Sequence, residues 1–146
     1  MTTSPKKIYI AGPAVFLKDH GEAYFNKVRT LLRDNGVVPL VPIDSIATGA
    51  LEIRNKNIEM IKACDAIIAD LSPFRSLEPD CGTAFEIGYG AALGKVLLTY
   101  SSDTRSMVEK YGGTEAQGCT VENFDLPFNL MLADGTPVFD TFEAAV

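Results

Sequence analysis

The sequence predicts a doubly wound α/β domain, a mostly parallel five-stranded sheet with helices on both faces. Two observations predict it. Short apolar runs without polar alternation recur at Ile8–Ile10, Val37–Val41, Ala66–Ala69 and Val96–Thr99, as buried parallel strands require. Between them lie stretches with helical spacing, each closed by a stop signal, so the order reads strand, helix, strand, helix. Right-handed crossovers then put helices on both sides and ligands at the carboxyl ends of the strands.

Each element follows from its residues. After Ile8-Tyr-Ile10 comes the loop Ala11-Gly-Pro-Ala14, then Tyr24, Val28, Leu31 and Leu32 at helical spacing until Asp34-Asn35-Gly36. Val37–Val41 is a strand despite Pro39, and Pro42 closes it. Ile53, Ile58, Ile61 and Lys62 fit an amphipathic helix running into Cys64. Ala66–Ala69 ends on Asp70, the next helix opens near Asp80, an acceptable N-cap, and Leu93-Gly94-Lys95 stops it before Val96–Thr99. Ser101–Val121 is polar and glycine-containing, which predicts a mobile connection or lid with one short helix at Met107–Tyr111. Pro137-Val-Phe139 fits an edge strand. Asn123–Met131 is too apolar for an exposed loop and predicts a subunit contact.

Composition bounds the function. The 146 residues, 47% hydrophobic and 22% charged, fit one domain spanning 1–146. With 13 basic against 19 acidic residues the net charge is −6, and no basic run exists to grip a phosphate backbone, so nucleic acid is not an expected partner. No apolar stretch approaches the roughly 20 residues of a membrane helix, and Met1–Lys7 lacks a leader's apolar centre, so a soluble, unprocessed chain without membrane contact is expected. Three cysteines, Cys64, Cys81 and Cys119, have no CxxC spacing; buried thiols in a reducing cytoplasm are expected. A helix N-terminus favours the Cys81 thiolate, but the single histidine, His20, lies in an unrelated segment. So few His and Cys argue against a metal centre.

The chemistry therefore rests on carboxylates. Asp70, Asp80 and Glu86 surround a strand exit and a helix start. Glu86 has Gly82 and Gly90 one turn to either side, so its helix face is bare, for a ligand or for packing. Gathered in one cleft, such carboxylates would repel one another, and burial would separate an acid from a base. Separately, Asp70 and Asp80 fit a turn and a cap. Tyr9 in mid-strand needs a partner for its hydroxyl, either a carboxylate such as Glu86 or backbone or water. Gly12 alone does not make the GxGxxG dinucleotide loop and no Walker A pattern occurs. Phe16 fits equally a core position and a stacking face for a planar ring.

Four segments in order, Tyr9-Ile-Ala-Gly-Pro13, Ala69-Asp-Leu-Ser-Pro-Phe-Arg75, Glu78-Pro-Asp-Cys-Gly-Thr-Ala-Phe-Glu-Ile-Gly88 and Leu126-Pro-Phe-Asn-Leu-Met131, resemble the nucleoside 2-deoxyribosyltransferases. The resemblance implies a flavodoxin-like subunit that moves 2′-deoxyribose between nucleobases, with deoxynucleosides and free nucleobases as its partners. Glu86 would be the nucleophile forming a covalent deoxyribosyl intermediate, Asp70 the proton donor to the leaving base, and Tyr9 the group that orients Glu86. Asp80 would bind the sugar 3′-hydroxyl or the base, and Asn129 would bind the 5′-hydroxyl in a neighbouring subunit's pocket. Met131 beside it belongs to the substrate-binding set, as do Gly12 and Phe16 at the base. No metal or organic cofactor is implied, and the family forms dimer-based homo-oligomers, commonly hexamers. Ser72-Pro-Phe-Arg75 resembles purine-handling members. Two other readings on the same fold are a hydrolase of deoxynucleoside 5′-monophosphates, which would want serines or basic residues where this chain has Asn129, and a non-catalytic nucleotide-binding module.

Overall fold

The computed structural model describes residues 6–146. Residues 1–5, most of the stretch read as lacking a leader, lie outside them. The main elements are β1 (Lys7–Ala11), α1 (Glu22–Asp34), β2 (Val38–Leu40), α2 (Ala50–Ala63), β3 (Ala66–Asp70), α3 (Cys81–Ala92), β4 (Val96–Tyr100) and α4 (Met107–Tyr111). They are followed by the two-residue strands β5 (Glu115–Ala116) and β6 (Cys119–Thr120), then β7 (Val138–Phe139) and α5 (Phe142–Ala145). The main sheet is five-stranded and all its pairings are parallel, in the order β2-β1-β3-β4-β7. That is the flavodoxin order, with the chain reversing its sideways progress between β1 and β3.

Side chains alternate across the sheet and build two cores. Tyr9, Ala11, Ile67, Ala69 and Leu97 face α2 and α3, where they meet Ile61, Ile87 and Phe128. Ile10, Ile68 and Tyr100 face α1 and α5, where they meet Phe25, Val28, Leu32 and Phe142. Pro39 sits in the edge strand β2, where a missing N–H costs little. α3 begins as expected, Asp80 accepting from the Thr83 N–H and hydroxyl, both at 2.9 Å. Gly90 brings that helix close to the sheet: a Cβ there would stand 2.3 Å from Ile67 Cδ1.

Several expectations are corrected. Of the three thiols only Cys64 is buried, while Cys81 and Cys119 are exposed, because each sits at a helix or hairpin edge rather than on a core-facing position. The 101–121 connection carries, besides the expected α4, an antiparallel β5–β6 hairpin, and α4 opens with a Ser106–Glu109 capping box. Phe128 is buried in the chain's own core, and the neighbouring Pro127 carbonyl accepts from the Lys110 ammonium at 2.5 Å. What the 123–131 segment leaves outside is Phe124, Leu130 and Met131.

Candidate active site

The reversal of the chain between β1 and β3 opens a crevice at their carboxyl ends, and the 12–16 loop after β1 runs through it. A cavity of about 570 Å³ lies on the α2/α3 side of this loop, lined by Gly12, Phe16, Ile43, Asn57, Asp80 and Glu86 among others. A second, of about 500 Å³, lies on the α1/α5 side, lined by Phe16, Tyr24, Asp70, Phe74, Tyr100 and Phe142 among others. Phe16 belongs to both walls.

In the first cavity Glu86 projects from α3 over the sheet, and the Tyr9 hydroxyl donates to its Oε1 at 2.7 Å. The tyrosine partner left open by the sequence is thus the carboxylate. Burial, reinforced by the negative charge of Asp80, pushes the Glu86 carboxyl up to about 7 against the pull of the Tyr9 hydrogen bond. The Tyr9 hydroxyl is itself pushed far up, by burial first and then by Glu86. A carboxyl balanced at neutrality, held in one orientation in a cavity, suits a nucleophile or a proton carrier. The two flanking glycines separate: Gly82 lines the cavity, whereas Gly90 serves helix–sheet packing.

The single carboxylate cleft does not form. Asp70 shares the face of Ile68, opposite to Tyr9 and Ile67, and pairs in register with Tyr100 in the second cavity. Strand parity is the reason, since one residue along a strand reverses the face. Asp70 Oδ1 accepts from the Ser72 N–H at 2.9 Å. Next to it the Tyr24 and Tyr100 hydroxyls stand 2.6 Å apart, and the Tyr100 hydroxyl is pushed far up by burial, then by Tyr24 and Asp70. Gly12, which lines the first cavity, lies against Asp70: a Cβ on Gly12 would come 2.9 Å from Asp70 Cβ. Phe16 is not a core residue. It is 55% exposed and stacks on Phe74 at 5.3 Å between centroids, with the Arg75 guanidinium 4.8 Å and 4.5 Å from the two rings.

Asn129 lies elsewhere in the subunit, on a third cavity of about 650 Å³ with Glu78, Tyr111, Glu122 and Phe124. Its Oδ1 accepts from the Met131 N–H at 2.9 Å, and Met131 is 81% exposed. Neither joins the Glu86 cavity of its own chain. The segment of His20, read as unrelated, in fact brings its imidazole to the Glu86 cavity. Sequence reasoning also missed Asn57 and the Tyr24–Tyr100 pair. Asn57 follows Ile53 by one helical turn, and Tyr100 ends the fourth apolar strand, so both signals were the spacing itself. Among the described residues no group of three or more His, Cys, Asp or Glu is placed to hold a metal ion, and no helix is long and apolar enough to cross a membrane.

A model of the family described as nucleoside 2-deoxyribosyltransferase matches residues 8–131. Among solved structures, a 2-desoxiribosyltransferase from Leishmania mexicana is 75% identical with a TM-score of 0.94, covering 97% of this chain and 94% of that one. A 2-deoxyribosyltransferase from Bacillus psychrosaccharolyticus, 24% identical with a TM-score of 0.61, covers 94% of this chain and 88% of that one and shares the fold. An uncharacterised protein of Schizosaccharomyces pombe is 34% identical over 113 residues, 70% of this chain. The chain spans about half the length of that curated relative, 53%.

Proposed function

The chain belongs to the nucleoside 2-deoxyribosyltransferase family, and from that premise we propose that it exchanges the base of a 2′-deoxynucleoside by two displacements at C1′, with Glu86 as nucleophile. In the first, a Glu86 oxygen bonds to C1′ while the C1′–N bond breaks. Its electron pair stays on the base nitrogen, which takes a proton from Asp70. In the second, a nitrogen of the incoming base bonds to C1′, the ester bond breaks, and its pair returns to the Glu86 carboxylate while the surplus base proton returns to Asp70. Two inversions give net retention.

The observation that carries this reading is the 2.7 Å bond from Tyr9 to a Glu86 carboxyl poised near 7 in a cavity. A free base would be a stable leaving group only when protonated, so Asp70 needs access to it. A ring lying over Gly12 faces both cavities, and the missing Cβ at Gly12 supports that path. Asp80 stands on the Glu86 wall, with one oxygen engaged by Thr83 and the other available to a sugar hydroxyl. Besides the imidazole of His20, the ionisable residues lining the Glu86 cavity are the acidic Asp80 and Glu86, and no Lys or Arg lines it. A 5′-phosphate would be repelled there, which favours nucleosides over monophosphates. The Phe16–Phe74–Arg75 stack offers the flat faces that a purine prefers. Exposure of Phe124, Leu130 and Met131 fits a homo-oligomer in which Asn129 and Met131 complete a neighbour's site.

The test incubates the protein with deoxyinosine plus adenine, and with thymidine plus adenine, and follows new deoxynucleoside by chromatography. Glu86→Ala should abolish transfer, and wild type quenched in mid-turnover should carry one deoxyribosyl group on the peptide holding Glu86. Equal transfer by Glu86→Ala, or free sugar as the sole product with every acceptor, would overturn the proposal.

A further inference from the structure

Of the polar groups in the Glu86 cavity that have no part in these steps, one is left unpaired. Asn57 lines the wall contributed by α2, and its Oδ1 is the buried side-chain atom among the described residues that has no hydrogen-bond partner. Such orphans are few in folded proteins. An acceptor left in this condition holds back a hydrogen bond that an arriving donor can make, once the carboxamide turns about its last torsion toward the cavity.

Position decides which part of the ligand supplies the donor. Asp80, Gly82 and Glu86 all lie on the α3 wall, where the reacting carbon and its sugar must sit. Asn57 lies on the facing helix, one turn beyond Ile53 and next to Ile43 and Ser45 of the loop after β2, which line the same cavity. With Phe16 also on the wall, this side offers apolar faces to a planar ring and a carboxamide to its edge. A carboxamide presents a donor and an acceptor side by side, and half a turn exchanges them. Asparagine pairs with the 6-amino purine edge in this way in nucleic-acid recognition.

Resting on the transferase reading above, we infer that the Asn57 carboxamide hydrogen-bonds the edge of the nucleobase held beside Glu86 and thereby sets which bases are exchanged. It is a specificity residue on the α2 wall, apart from the groups that form and break bonds.

The test supplies deoxyguanosine as donor with equimolar adenine and hypoxanthine as acceptors and reads two ratios: deoxyadenosine to deoxyinosine, and total transfer to free deoxyribose. Asn57→Asp keeps the shape and the acceptor but loses the N–H donor, so the 6-oxo base loses its partner and the first ratio should shift toward deoxyadenosine by about tenfold or more. Asn57→Leu, with the same branching at Cγ but apolar ends, should lower transfer relative to hydrolysis by about 10- to 100-fold, because water needs no base contact. A general disturbance of the site would slow both routes together and leave these ratios alone. A first ratio within twofold of wild type in Asn57→Asp overturns the inference and leaves the transferase reading standing, as does an unchanged partition in Asn57→Leu. Wild type that transfers to neither base breaks the transferase reading and the inference with it.

Discussion

Replacing Tyr9 with Phe removes one hydroxyl and keeps the ring that fills the core beneath α3. That hydroxyl donates to Glu86 Oε1 at 2.7 Å and favours the ionised carboxylate. A hydrogen bond to a charged group is worth about 1.5–3 kcal/mol, and each pH unit of displacement corresponds to about 1.36 kcal/mol, so the Glu86 midpoint should move up by roughly one to two pH units. Wild type, with its Glu86 carboxyl near 7, has about half of that carboxyl ionised at pH 7. At a midpoint of about 8–9 the ionised fraction falls roughly 5- to 50-fold. The assay is the release of base from a deoxynucleoside in the first half-reaction, as kcat/KM from pH 5 to 9.5. The ascending limb should rise near 7 in wild type and near 8–9 in Tyr9→Phe, with most of the loss recovered at the alkaline end. An unchanged limb, or a loss of the same size at every pH, would refute the assignment of Tyr9 to the ionisation of Glu86.

Asp80→Asn keeps an oxygen at the α3 N-cap but removes the charge that helps to raise Glu86; its ascending limb should therefore move below 7, opposite to Tyr9→Phe, and a limb that stays or rises contradicts the electrostatic account. Glu86→Gln should change stability with a defined sign. The folded carboxyl titrates near 7 against about 4.5 unfolded, so the folded state holds more protons in that window and wild type loses stability as pH rises through it. Thermal unfolding should find the variant and wild type alike near pH 4 and the variant more stable at pH 8, by up to about 3 kcal/mol; a variant less stable at pH 8 would count against a buried, raised carboxyl. Gly90→Ala places a Cβ 2.3 Å from Ile67 Cδ1, so it should destabilise by about 1–3 kcal/mol despite alanine's helix preference. Adding Ile67→Val, which deletes that methyl, should restore part of the loss in denaturant unfolding; no restoration would mean the clash lies elsewhere.

Much of the fold could be read from the chain because its strands are apolar runs and its helices carry clear ends. The loop–helix boundary at Asp80 was visible from cap chemistry, and the edge strand at Val138–Phe139 was visible from two large residues after a proline. The short β5–β6 hairpin and α5 were not, since two- and four-residue elements leave no period to detect. The open face beside Glu86 was legible from Gly82, which lines its cavity, whereas Gly90 answers to Ile67 and not to a ligand. Asp70 and Glu86 do not share a wall, because strand alternation overrides their nearness in sequence and assigns Asp70 to the side of Ile68. Asn57 escaped notice because a polar residue among the isoleucines of α2 looks like a solvent-facing position until α3 is packed beside it.

The separation of Glu86 from Asp70 by the thickness of a single β-layer has a practical consequence for redesign. The wall around Glu86 is furnished by α2 and α3, and the wall around Tyr24, Tyr100 and Asp70 by α1 and α5, with the 12–16 backbone loop as their common border. Libraries aimed at Leu17 or Leu31 would thus reshape the chamber around Asp70 without replacing any residue that lines the Glu86 cavity, so each chamber can be varied by itself.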